Sequence, residues 1–182
     1  MPVSEGIRAY APDILRRQVN MASNERVLSQ IVKRALSGEG AHAKTETVFE
    51  GVDWNTAASR PPSAPHSIYQ LLKHMSYWQN WVLQWLDGKD PAIPKHAASS
   101  WAPQIGPANA NEWKQAVSDF HEDLKKLEML AGTVDLLGRM GRTSRLRMLH
   151  TIASHNSYHA GQVVALRQLL GKWPPPAGGL TW

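Results

Sequence analysis

The sequence predicts an all-α protein built on a four-helix bundle, and three features point there. Four stretches carry apolar side chains at the three- and four-residue spacing of a buried helix face. Residues that start helices stand before three of them: Ser67 with Gln70, Asn109 with Glu112, and Thr143 or Ser144. No stretch reads as a credible strand run. At 182 residues, 42% of them hydrophobic, the chain can hold one domain with a sizeable core.

Residues 1–22 contain Pro2 and Pro12 and no sustained periodicity, so they are expected to form an N-terminal extension with at most a short helix from Asp13 to Val19. The bundle domain is then expected over residues 23–182. Its first helix starts near Ser23. The stripe Val27, Leu28, Ile31, Val32, Ala35 and Leu36 faces inward, and Ser37-Gly38 with Gly40 stops it. A short helical piece is expected from Ala43 to Gly51, with Val48 and Phe49 turned inward.

The Pro-rich loop Arg60 to Pro65 leads to the capping box of Ser67 and Gln70, which opens a helix from Ile68 to Leu86. Two apolar stripes share that helix. One is Ile68, Leu72, Met75, Val82 and Leu86; the other is Leu71, His74, Trp78, Trp81 and Trp85. So wide an apolar surface suits a helix with neighbours on two sides. Asp87-Gly88 ends it, and Pro91, Pro94, Pro103 and Pro107 mark a long loop between helices two and three. Such connections are uncommon in compact domains and are often functional. This one could carry the chain along the bundle so that helices two and three run parallel. Asn109 opens the third helix, with Trp113, Ala116, Val117, Phe120, Leu124, Leu127 and Leu130 inward. A turn region from Gly132 to Gly141 precedes the fourth helix, which Gly171 stops ahead of Pro174-Pro175-Pro176.

The last helix carries the chemistry. Met148, Ile152, His155, His159, Val163, Leu166 and Leu170 share one face, so two histidines occupy core-type positions one turn apart and can point at one ion. His74, flanked by Leu71 and Trp78 on the second helix, is the natural third ligand. Neutral imidazole binds zinc, nickel, copper and ferrous iron, and three protein ligands with an open position describe a catalytic rather than a structural site. The plainer alternative is a set of hydrogen-bonded structural histidines. No acidic residue lies between His155 and His159, so the metalloprotease pattern is absent. His66, near the cap of helix two, is the best substitute ligand; His42, His96, His121 and His150 are expected to be exposed or locally bonded. Tyr158, Gln162, Asn156 and Trp78 are candidates to support the ligands or touch substrate.

The totals exclude more than they assign. With no Cys, the chain has no disulfide, no thiolate ligand and no thiol nucleophile of its own. No stretch approaches the roughly 20 apolar residues of a membrane helix, and no secretory signal pattern opens the chain, so a cytoplasmic protein is expected. The net charge of +5 includes a cluster at Arg139, Arg142, Arg145 and Arg147. It could face a phosphate but reads first as a solvated helix start, and nucleic-acid binding is not expected. Eight Trp against two Phe fit helix interfaces and wet pockets.

The run His66-Ser67-Ile68-Tyr69-Gln70-Leu71-Leu72-Lys73-His74-Met75, with Trp78 and Trp81 behind it, resembles the second helix of the DinB-like (DinB/YfiT) metalloenzyme family. Ser154 to Gln162, continuing through Leu166 to Gly171, is similar to that family's last helix, and Trp173 to Gly179 to its usual ending. The resemblance covers about Ser23 to Trp182. It implies a bundle of up-down-down-up connectivity and a divalent metal on His74, His155 and His159, for which zinc or nickel is expected. It also implies a homodimer and a small-molecule substrate. Relatives with known activity are transferases or isomerases that use a low-molecular-weight thiol such as mycothiol or bacillithiol, so a thiol-dependent S-transferase acting on a small electrophile is the leading expectation. Metal-assisted hydrolysis and a non-catalytic metal- or ligand-binding bundle of the stress response are the alternatives.

Overall fold

The computed structural model describes residues 11–176 and 178, with side chains from residue 23 onward. Residues 1–10 of the expected extension lie outside the described residues. The described residues form five α-helices, a 3-10 turn at Ala97–Ser100 and one very small sheet: α1 (Ala11–Ser37), α2 (Trp54–Ala58), α3 (Ile68–Leu86), α4 (Ala110–Thr133), β1 (Arg139–Met140), β2 (Thr143–Ser144) and α5 (Arg145–Leu169). α3 packs on α4 and α5, and α1 packs on the same two helices. The core fills the space between these four long helices.

Helix α1 starts at Ala11 rather than near Ser23. Between Pro12 and Gly38 the chain has neither Pro nor Gly, and Pro12 falls in the first turn, where its missing N–H costs no helical bond. Weak periodicity therefore hid a continuous helix. Its inward side is Leu28, Val32, Ala35 and Leu36, whereas Val27 and Ile31 are exposed. Gly38 ends it at φ +77, a backbone conformation that glycine tolerates best.

Val48 and Phe49 are buried as expected, yet residues 45–51 form turns rather than a helix. Phe49 sets its ring edgewise on Trp113 and Phe120, and the Trp113 indole N–H donates to the Val52 carbonyl at 2.6 Å. The short helix α2, capped by Asp53, had no apolar repeat long enough to announce it. The hairpin of β1 and β2 is a second departure from the expected all-helical chain. Strands of two residues are too short to leave an alternating pattern. The hairpin is tied to the start of α5 by Leu146 N–H to the Leu136 carbonyl, 2.8 Å, and by the Ser144 cap on Arg147.

The expected caps form. Ser67 and Gln70 make both bonds of the capping box, and Asn109 accepts from the N–H groups of Asn111 and Glu112. The connection from Asp87 to Asn109 then lies along α3. Its carbonyls at Ala92, Ser100, Ala102 and Ile105 take hydrogen bonds from Trp81, His74, Gln70 and Ser67 respectively. The loop thus walks back from one end of α3 to the other. Chain direction returns at Tyr69, whose hydroxyl donates to Glu112 at the start of α4, 2.6 Å.

Arg167 is the largest fully buried side chain of the described residues, and no apolar pattern foretold it. Its guanidinium donates to the carbonyls of Val48 (2.7 Å), Glu50 (2.8 Å) and Lys172 (2.9 Å) and lies 5.0 Å from the Trp173 ring. It joins α5 to the turns after α1 and to the tail. Replacing Arg167 with Met leaves three carbonyls without their donor and is expected to cost about 3 kcal/mol in urea unfolding, with metal binding unchanged. A loss under about 0.5 kcal/mol would show that this clamp is dispensable.

Candidate metal centre

His74 on α3 and His155 and His159 on α5 meet in the seam between the two helices. One ring nitrogen from each lies within 4.8 Å of the others. The contacts along the seam run in opposite order on the two helices: His66 shares a cavity with Leu169, His74 meets His159 and His155, and Val82 lies opposite Met148. This is why a single side chain from α3 meets a pair one turn apart on α5. His74 Nε2 and His155 Nε2 are 3.2 Å apart. Two nitrogens bound to one tetrahedral zinc ion sit about 3.4 Å apart, so this pair is already at ligand spacing.

Two of the three rings have their protons placed by neighbours. His74 Nδ1–H donates to the Ser100 carbonyl at 3.2 Å, which leaves the Nε2 lone pair facing the cluster. His159 Nδ1–H donates to Gln162 Oε1 at 2.7 Å, with the same consequence. His155 Nδ1 is buried with no hydrogen-bond partner among the described residues, while its Nε2 lies within hydrogen-bond distance of the His74 Nε2 lone pair and so carries the proton. A bound cation would take the place of that proton. The donor set fits a divalent metal.

Electrostatics favours the neutral, ligating form of all three. Burial brings His74 down from 6.5 to about 4; the Ser100 bond opposes this and the neighbouring His159 and His66 reinforce it. Burial likewise brings His155 to about 4, aided by His159 and His74. His159 is lowered by burial, against the Gln162 bond.

Trp101 is the site residue that sequence reasoning missed. Its ring stacks on His74 with centroids 3.9 Å apart and planes within 3°. On its other face it stacks on His66, 3.6 Å and 9°. His66 is therefore one indole removed from His74 and is absent from the cluster of ligand nitrogens, which makes it a poor substitute ligand. The only sequence signal for Trp101 was a lone Trp in a long Pro-bearing loop. Trp78 presents edges toward His74 and His155 at 6.5 and 6.4 Å. Gln162 supports His159, as its position allowed. Tyr158 packs against His159 but is 65% exposed. Asn156 is fully buried in the core and its amide has no hydrogen-bond partner among the described residues. His42 lies elsewhere, donating from Nδ1 to the Ala43 carbonyl and accepting at Nε2 from Ser157.

A family model described as the DinB superfamily matches residues 38–163. The chain belongs to the DinB superfamily. The matched residues include His66, His74, Trp101, His155, His159 and Gln162, so the whole centre lies inside the DinB match, whereas Arg167 and the Pro-rich tail lie beyond it. No curated protein and no solved structure matches the chain.

Because its imidazoles are already neutral, the centre should release little acid on taking up metal. Three ordinary histidines at pH 6 would give up about two protons per ion. Calorimetric zinc titration at pH 6 in buffers of different ionisation enthalpy is expected to show fewer than one, and two or more would contradict the depressed pKa values. In the metal-free protein the sign follows from the same shifts. Unfolded histidines take protons below 6.5 while buried His74 and His155 resist until about 4, so thermal stability should fall as pH drops through that window. A melting temperature that stays flat from pH 6.5 to pH 4 would refute this.

Proposed function

We propose that His74, His155 and His159 hold one divalent ion, zinc or nickel, and that the protein is an enzyme transferring a low-molecular-weight thiol onto a small electrophile. The observation that carries this is the convergence of three neutral ring nitrogens in one seam, two of them aimed by the Ser100 carbonyl and Gln162. Bound there, a divalent ion supplies Lewis acidity and lowers the pKa of a coordinated thiol or water.

The chain's own residues bind and orient. Ser100 and Gln162 keep the protons of His74 and His159 on Nδ1, away from the cluster. Trp101 holds the His74 ring by its face, and Trp78 walls the centre beside His155. Each indole displaces water from the part of the ligand ring it covers, which strengthens charge interactions there. A chain without Cys offers no thiol to compete for the ion, which supports an external thiol. The fit of the resemblance also supports an up-down-down-up order of α1, α3, α4 and α5. The loop that walks back along α3 before α4 begins is in keeping with that order. A homodimer is the expected assembly.

The test combines occupancy with turnover. Zinc- or nickel-loaded wild type should consume a panel of small electrophiles only when a low-molecular-weight thiol is supplied. His155→Ala, which truncates a half-buried side chain, should keep its helical circular dichroism and retain about a tenth or less of the metal. Turnover with water alone would point to hydrolysis instead. Full metal occupancy in His155→Ala would remove the centre from these residues.

A further inference from the structure

On one side of the histidine cluster the seam between α3 and α5 opens into a cleft of about 320 Å³, lined by Trp78, Trp81 and Val82 from α3 and by Met148, Ile152 and His155 from α5. That volume is within the range that takes a small organic molecule, about 300 to 1,000 Å³. Among the described residues, no Asp, Glu, Lys or Arg lines it. The hydroxyl of Thr151, which also lines it, is committed to the Arg147 carbonyl at 2.9 Å, and the Trp81 indole N–H to the Ala92 carbonyl at 3.2 Å. His155 is the member of the lining that also belongs to the cluster.

We propose that this cleft holds the neutral aromatic part of the substrate, with its reacting atom against His155. The assignment rests on the metal-dependent function given above and names the substrate class that this site takes. Two indoles and a thioether present flat, polarisable surface suited to an aromatic ring. An ionised group placed there would lose its hydration and find no side chain of opposite charge among the described lining residues. On the other side of the cluster a smaller cavity of about 190 Å³ is also walled by apolar side chains such as Leu71 and Leu166, and it carries the polar groups of His66, Gln162 and Ser63. The two flanks differ in those polar groups, and the larger one, lined by two indoles, is the side for the ring.

The test uses the zinc-loaded full chain, titrated calorimetrically with 2-naphthol and with naphthalene-2-sulfonate, the same ring without a charge and with one carried by a poor zinc ligand. Naphthol should bind about tenfold more tightly or better, despite a net charge of +5 that favours the anion at long range. Met148→Glu, at a half-buried position, should weaken naphthol binding by about tenfold with zinc content unchanged. Thr151→Phe, at an exposed position, should do the same by narrowing the cleft. Equal affinity for the two probes would overturn the proposal, as would wild-type binding in both variants. So would a dimer that Met148→Glu splits while naphthol fails to bind, since the cleft would then be an interface between copies. Selective naphthol binding without stable zinc would leave the cleft standing and sink the metal-dependent function. Zinc bound without selectivity would do the reverse.

Discussion

Burying three uncharged imidazoles in the seam between α3 and α5 is the constraint on which the rest of the structure depends. Each ring occupies a place where an aliphatic side chain would pack, and each carries polar nitrogens that water would otherwise satisfy. The fold meets that cost unevenly. A carbonyl from the long loop serves His74, an amide one turn along α5 serves His159, and His155 Nδ1 is left without a partner among the described residues. Burial that would be wasteful in a purely structural core keeps the rings deprotonated at neutral pH, which is the state a metal requires.

The connection from Asp87 to Asn109 is best understood from that constraint. It is long because it must return along α3, and it gives up a carbonyl to that helix at several levels on the way. At the level of His74 it delivers both Ser100, which orients the ring, and Trp101, which covers its face. A short 3-10 turn, Ala97–Ser100, is thereby tied to α3 at the place where the centre needs it. Arg167 does comparable work at the far end of α5, anchoring the turns after α1 through the carbonyls of Val48 and Glu50 and the start of the tail through that of Lys172.

Features with a local cause were legible in the sequence. Spacing put His155 and His159 on one face and His74 on an apolar stripe, and cap chemistry at Ser67, Asn109 and Ser144 marked where α3, α4 and α5 begin. Features with a distant cause were not. Trp101 reaches His74 from a different part of the chain, and only the folded path of the loop reveals the contact. Arg167 looks like any basic residue in a last turn until the turns at Val48 and Glu50 close over it. The beginning of α1 was missed for another reason: a helix without a clear apolar stripe shows itself only by the lack of breakers. His66 shows the limit of sequence proximity, since it lies near His74 yet is separated from it by an indole.

X-ray absorption at the zinc edge of the loaded protein tests the central claim most directly. The account predicts three imidazole nitrogens at about 2.0–2.1 Å, with the outer-shell scattering of histidine rings, and a fourth light atom that sulfur at about 2.3 Å replaces when thiol is added. A first shell of oxygen alone, or one that His74→Ala and His155→Ala leave unchanged, would contradict it.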